Sequence, residues 1–359
     1  MANKEPPTQK VSDVISAFRP TRRFKPDDPK AHVTSLDFDD SGELAIVART
    51  DDTLQIYNCK EGKHAKELKS QKYGVHLARF THHAQSILYA STKVDDTIRY
   101  LSTHDNSYIR YYRGHVAPVT SIALCPSNDT FLSCSLDHTV RIWSLSSPNH
   151  TGVLKLHAPY LASYDPSASV IAIASPPTQS ILLYDLRNFD KPPFQTFDLQ
   201  PYESRLNPSG LTARRRGESN WTKIEFSNDG KHMLIGTAGD GHYVLDAFDG
   251  DLKHYCVRHN ESFASSRRAP GSSSSAPVGQ GDVCFSPDGR YLVGGSGTDG
   301  TMLVWDIETE SSDDKVLAAC AQLPALGRHE IVGYNPRTNM LCSADRDVVM
   351  WLPDPELVS

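Results

Sequence analysis

At intervals of 41 to 61 residues the chain repeats one short pattern: an Asp-bearing turn, an apolar run of strand character, and a large side chain near the end of the run. Those large side chains are Tyr57, Tyr100, Trp143, Tyr184, Leu245, Trp305 and Trp351, with successive gaps of 43, 43, 41, 61, 60 and 46 residues. A unit of about 40 to 45 residues cannot bury its own faces, so copies must stack against one another into a continuous core. The two long gaps hold about 20 residues beyond that period. The chain therefore has to form a repeat array with two enlarged connections.

Other landmarks keep the same phase. Phe38, Phe80, Tyr164, Phe226, Phe285 and Tyr334 fall where a first strand ends, several of them before turns such as Asp165-Pro166 or Ser286-Pro287-Asp288-Gly289. Pro and Gly there stop one strand and set the backbone for the next. The best-preserved unit runs from Gly114-His115 to Ser133-Cys134-Ser135-Leu136-Asp137-His138-Thr139-Val140-Arg141-Ile142-Trp143. It resembles the WD40 repeat, and the expected fold is an all-β, seven-bladed WD40 β-propeller occupying residues 1–359 as a single domain. Residues 11 to 25 carry Val14, Ile15, Phe18 and Phe24 among arginines and precede the first repeat, while few residues follow Trp351. The N-terminal segment should thus supply the outer strand of the last blade and close the ring.

In the third unit, Asp137 should face His115, with Ser133 or Ser135 and Trp143 completing a buried polar chain. The same residue types would serve a catalytic Ser-His-Asp triad. Because the pattern recurs across units and buried polar groups must be paired, the structural role is expected.

Composition narrows the function classes. Seven cysteines are scattered without a C-x-x-C pair, which reads as reduced core thiols and not as a zinc site or disulfide frame. The polar first ten residues and the lack of an apolar run of about 18 residues predict a soluble, non-secreted chain with no membrane partner. A formal charge of −6 argues against sequence-independent nucleic-acid binding through the whole surface, and direct sequence-specific binding is not expected. Gly295-Ser296-Gly297-Thr298-Asp299-Gly300 matches G-x-G-x-x-G, but it leads into the strand-like Thr301–Trp305 where a dinucleotide site needs a helix. No H-E-x-x-H or Cys/His array occurs, so no cofactor or metal is expected.

Both enlarged connections, at 200–220 and 258–281, join the last strand of one blade to the first of the next, and both are expected to be flexible. The first contains Arg205, Arg214, Arg215 and Arg216; the second contains Arg258, Arg267, Arg268 and a serine run. They read either as tolerated surface loops or as a basic arm for acidic or phosphorylated partners, through Arg–phosphate pairing.

One stretch is more specific than the repeat itself: Lys72-Tyr73-Gly74-Val75, Asp95-Asp96-Thr97-Ile98-Arg99-Tyr100-Leu101-Ser102, His104-Asp105-Asn106 and Tyr108-Ile109-Arg110-Tyr111, ending at Gly114-His115. It resembles the WD-repeat subunit of the COMPASS histone methyltransferase, called Swd-two in yeasts. The likeness continues through Tyr184–Lys191, Phe226–Lys231, Asp246-Ala247-Phe248 and Trp351-Leu352-Pro353, and departs from the family in the two Arg/Ser-rich insertions. The resemblance implies a non-catalytic nuclear scaffold. Its partners would be catalytic and scaffold subunits of a histone H3 lysine-four methyltransferase complex, linked to RNA polymerase II through the phosphorylated polymerase tail. It also implies a role beside a type-1 phosphatase and 3′-end-processing subunits in transcription termination. An alternative from another class is a substrate receptor of a cullin-RING ubiquitin ligase, because Tyr184-Asp185-Leu186-Arg187 resembles the W-D-x-R element of such receptors.

A propeller presents preformed rim loops to disordered segments of partners. Candidate rim residues beside the Asp turns and the starts of first strands are Arg49, Asp51, Lys72, Tyr73, Lys93, Asp95, Leu136, Tyr160 and Trp221. A second candidate is the outer edge of the second blade, where Tyr108, Arg110 and Tyr111 alternate with Ile109 on a fourth strand; the alternation reads either as an edge able to accept a partner strand or as an ordinary half-buried strand.

Overall fold

The computed structural model describes residues 10–206, 221–258, 282–295, 300–327 and 329–358. Seven antiparallel sheets follow one another along the chain. The first blade is Val33–Phe38, Leu44–Arg49, Thr53–Asn58 and Lys63–Lys69, and the pattern recurs around the ring. Second strands such as Leu44–Arg49 and Val170–Ser175 are buried almost throughout, because neighbouring blades cover both of their faces. That explains their continuous small apolar runs, where a sheet with one wet face would alternate. Outer strands such as Lys63–Lys69 are mostly exposed and polar. The apolar core is divided into seven clusters, each lying between adjacent blades.

Ring closure occurs as expected. Phe18–Phe24 pairs antiparallel with Val348–Pro353, from Phe18 opposite Pro353 to Phe24 opposite Val348. A short helix, Val11–Val14, leads into it, and Val14, Ile15 and Phe18 are buried in the same cluster as Tyr334 and Trp351.

Three features differ from the sequence-based expectation. In the second blade the position equivalent to Trp143 is Leu101, which lies opposite Ile87 as Trp143 lies opposite Phe131; Tyr100 is one residue out of phase and half-buried. The 200–220 connection begins with a helix, Gln200–Leu206, so its start is not a flexible loop. Asp198 accepts from the Gln200 N–H at 2.9 Å at the start of that helix, and the buried Glu203 carboxylate accepts from the Trp221 indole and the Gln179 amide. Third, Val316–Leu317 turns back from the sixth blade and adds a fifth, parallel strand to the fifth blade, with Tyr255 opposite Val316 and Cys256 opposite Leu317. The Lys315 carbonyl accepts from the Tyr255 N–H at 2.7 Å, and the Lys315 ammonium donates to the Leu252 carbonyl at 2.6 Å.

Candidate partner-docking site

The polar chain of the third blade is complete. His115 Nδ1 lies 2.9 Å from Asp137 and its Nε2 lies 2.7 Å from Ser133 Oγ, which accepts from the Trp143 indole at 2.8 Å. Ser135 instead donates to the Ala117 carbonyl. Burial pushes the Asp137 carboxyl up, but hydrogen bonds from Thr139 and His115 outweigh it and hold the group at about 2. Burial also keeps the His115 imidazole below its ordinary value against the pull of Asp137. Because Ser133 Oγ already accepts from an indole inside the sheet, the arrangement clamps the Asp turn and presents no nucleophile to a substrate. Val116 and Leu136 ride on this clamp as exposed apolar side chains, with the Val116 N–H donating to Asp137 and the Leu136 N–H to the Pro118 carbonyl.

The second blade builds something the repeat alone does not require. Tyr73 sits in the turn between the first and second blades, which is locked by its own backbone. The Tyr73 and Gly74 N–H groups donate to the Ser70 carbonyl at 3.0 and 2.8 Å, and the Tyr73 carbonyl accepts from Thr92 and Lys93 at 2.9 and 3.0 Å. Gly74 has φ +72°, and a Cβ there would fall 1.9 Å from Thr92 Oγ1, so both its conformation and its closeness need glycine. Held this way, the Tyr73 ring covers the Arg99 guanidinium at 3.5 Å, with the Tyr111 and Tyr108 rings at 5.2 and 5.6 Å. Arg99 is fixed from behind by two 3.0 Å hydrogen bonds to Asp95 and one of 2.7 Å to Ser91. Tyr108 donates to or accepts from Tyr89 at 3.0 Å, and Tyr89 reaches Ser70 at 2.9 Å. The result is a half-exposed aromatic shelf set around one buried cation, with Lys72 over Tyr73 at 5.1 Å and Arg113 over Tyr111 at 5.3 Å as exposed cationic heads.

The shelf joins the two regions singled out in the sequence, since Tyr73 belongs to the rim and Tyr108 to the outer strand Tyr108–Tyr112. Arg99, which organises it, was missed together with Arg113, whereas Tyr111 belongs with Tyr108 to the outer strand that the sequence singled out. Asp95 supports the shelf through Arg99, and Lys93 pairs with Asp52 beside it. Several candidates are placed elsewhere. Trp221 is 2 % exposed and bonded to Glu203, so it packs in the core instead of anchoring a partner. Arg49 is buried and pairs with Asp51 at 2.9 Å, which uses both for the turn. Arg110 turns across to the Leu145 carbonyl of the third blade and so leaves the open edge. Tyr160 is half-buried against the core between the fourth and fifth blades. Arg258 is buried, donating to His242 and to the Thr237 carbonyl, and belongs to the fifth blade instead of a mobile arm. Arg214, Arg215, Arg216, Arg267 and Arg268 lie outside the described residues.

The central channel, about 580 Å³, is lined by the first strands of the blades. Its charges oppose one another: Lys223 lies 3.4 Å from Glu225 and 3.6 Å from Asp282, and Asp37, pushed up to about 6 by burial, accepts from the Phe80 N–H. Among the described residues, His32, Glu330 and Asp345 bring ligand-type atoms within 4.8 Å of one another, with His32 Nδ1 3.3 Å from Asp345 across the seventh and first blades. Gly295 ends the strand Tyr291–Gly295, and the residues described after Gly300 form the strand Met302–Asp306, so a strand and not a helix follows the glycine-rich motif. Asp185 caps a short turn through the Arg187 N–H at 2.9 Å and leaves the Arg187 side chain exposed. No helix among the described residues is long and apolar enough to cross a membrane.

Comparison with known proteins follows the same outline. The family model "WD domain, G-beta repeat" matches residues 19–58, 106–144 and 271–306, the first match running from the closing strand into the first blade. The chain is 38% identical over 347 residues to WD repeat-containing protein 82 of Drosophila melanogaster, covering 96% of this chain and 98% of that protein. It is 41% identical over 280 residues to the Set1 complex component swd2 of Schizosaccharomyces pombe, covering 78% of this chain and 72% of that protein. With the COMPASS component SWD2 of Saccharomyces cerevisiae it shares 32% identity over 342 residues, covering 94% and 96% of the two.

Proposed function

Because the chain belongs to the Swd2 family of WD-repeat proteins, we propose that it is a non-catalytic scaffold subunit of a nuclear Set1/COMPASS-type complex. In this reading it holds a short linear segment of a partner subunit on the Tyr73–Arg99–Tyr111 shelf. The observation that carries the proposal is the pre-set geometry of that shelf, with Arg99 stacked at 3.5 Å on Tyr73 and gripped by Asp95 and Ser91. A rigid surface loses little conformational entropy on docking, and Tyr and Arg are the types that most often anchor interfaces. The exposed aromatic faces, with Lys72 and Arg113 at their edges, suit a segment that carries apolar and acidic or phosphorylated side chains.

We also propose that the same propeller serves a type-1 phosphatase and 3′-end-processing assembly and links the methyltransferase to RNA polymerase II. One docking surface able to take similar segments from different partners would account for both. The cullin-ligase reading rests on Tyr184–Arg187 alone. A tagged pull-down from nuclear extract, read by mass spectrometry, separates these readings. Recovery of methyltransferase subunits is expected, and phosphatase subunits in the same eluate would support the wider role. Recovery of cullin-ligase adaptors in their place, lost in Arg187→Ala, would overturn the proposal. Charge reversal at Arg214, Arg215 and Arg216 should weaken binding to phosphorylated polymerase-tail peptides if the basic insertion reads them.

A further inference from the structure

We infer that the opposite rim carries a second docking surface, built on Phe194 and Phe248, for a basic linear segment with an apolar anchor. Both residues lie in connections between third and fourth strands, Phe194 in the fourth blade and Phe248 in the fifth. They are 57 % and 91 % exposed. A single exposed apolar residue is ordinary. Here two phenylalanines come from adjacent blades, and each is held out by a built turn.

The Phe248 N–H donates to Asp246 Oδ1 at 2.9 Å, and the Gly250 N–H donates to the Asp246 carbonyl at 3.0 Å. Gly250 has φ +81°, and a Cβ there would lie 2.1 Å from the Phe197 ring, so the turn is seated directly on the fourth blade three residues from Phe194. The Phe194 N–H in turn donates to the Leu183 carbonyl at 3.0 Å. Both rings are thus presented on backbone that is already fixed, which spares a partner the loss of loop freedom.

The surrounding charge selects the partner. Asp190, Asp249 and Asp251 are exposed, and none forms an ion pair with a described residue. Of the nearby cations, Lys253 pairs with Asp246 at 3.1 Å and Lys231 pairs with Asp229 at 3.4 Å, while Lys191, bonded to the neutral Asn188 amide at 2.9 Å, and the exposed Arg187 set two positive charges against the four carboxylates of Asp185, Asp190, Asp249 and Asp251. Aromatic anchors in connections that carry an excess of carboxylates fit a segment in which an apolar side chain is flanked by lysine or arginine. The Arg99 shelf lies on the second blade, between the rim connection that carries Tyr73 and the outer strand Tyr108–Tyr112, so both surfaces can be occupied at once, which is what joining two partners requires.

The test selects a random 12-residue peptide phage library on the full chain, with counter-selection against Phe194→Ser/Phe248→Ser. Fluorescence anisotropy then measures the recovered peptides on folded wild type and variant, whose folds are compared by circular dichroism. Recovered peptides should carry an aromatic or aliphatic residue beside Lys or Arg. They should bind the double variant about 30-fold more weakly, the loss typical of an anchor residue, and bind Tyr73→Ala as tightly as wild type. Recovery of acidic or uncharged sequences, equal affinity for wild type and double variant, or no enrichment at all would overturn the inference.

Discussion

Replacing Arg99 tests whether one guanidinium organises the shelf. Its side chain is 3 % exposed, so little water is available to replace lost partners. Arg99→Ala removes the stack on Tyr73, worth about 1–2 kcal/mol when desolvated, and the Ser91 hydrogen bond, worth about 1 kcal/mol. The Asp95 pair adds only about 0.5 kcal/mol, because the Asp95 side chain is 37 % exposed and solvent screens it. The expected destabilisation is about 3 kcal/mol, which at a urea slope of about 3 kcal/mol per molar lowers the midpoint by about 1 M. Arg99→Lys keeps the charge but loses the planar face and the fork, and should give up about half of that stability. Urea unfolding followed by tryptophan fluorescence measures both. A shift below about 0.2 M for the alanine variant, or a lysine variant that matches wild type, would refute the idea that stacking and forked bonding hold the shelf.

The polar chain of the third blade should behave as structure: His115→Ala strips partners from Asp137 and Ser133 and should cost about 3 kcal/mol in the same urea assay. Stability should also fall below neutral pH. Burial holds His115, His242 and His329 below their ordinary value and His76 down at about 4. The unfolded chain then takes up protons that the native chain refuses as pH drops from about 6.5, and each such group removes up to about 1.4 kcal/mol per pH unit until its own folded value is passed. Asp37, raised to about 6 by burial, and Glu225, also raised by burial, act in the opposite sense over part of that window, since the native carboxyls gain protons first. Burial also holds His150, His232 and His254 down, while Asp96, raised by burial, and His82, raised by its hydrogen bond to Asp40, act with Asp37 and Glu225. Seven lowered imidazoles outweigh these four groups, so the urea midpoint should be lower at pH 5 than at pH 7.5; an equal or higher midpoint at pH 5 would contradict the assignment.

The fold was legible because the repeat writes itself twice in each blade, at the end of the first strand and near the end of the third. Tyr100 misled by one position because the second blade places Leu101 at the landmark and uses the neighbouring tyrosine at its surface. The helix Gln200–Leu206 was hidden because it is only seven residues long and is held by tertiary contacts, Glu203 to Trp221 and Gln179, that no periodicity announces. The fifth strand Val316–Leu317 is two residues of edge pairing and has no sequence period at all. Tyr73 and Tyr108 could be picked as interface types, yet their union depends on Arg99. A signal for it existed: aligning Thr97-Ile98-Arg99 with Thr139-Val140-Arg141 sets Arg99 at the same strand position as Arg141, which lies near His150 at 3.2 Å and against Gly114. What distinguishes the second blade is the three tyrosines around that position, which come from two separate segments of chain, Tyr73 from the turn between blades and Tyr108 and Tyr111 from the outer strand, and meet on a third that carries Arg99.

The shelf as a docking site is tested most directly by placing a photo-crosslinking phenylalanine analogue at Tyr111 in tagged chain expressed in its own cells. Irradiation before purification should join position 111 to a segment of a methyltransferase-complex subunit, and Tyr73→Ala in the same chain should abolish the adduct. Recovery of the intact complex with no adduct at position 111, or with an adduct indifferent to Tyr73, would show that the partner docks elsewhere on the propeller.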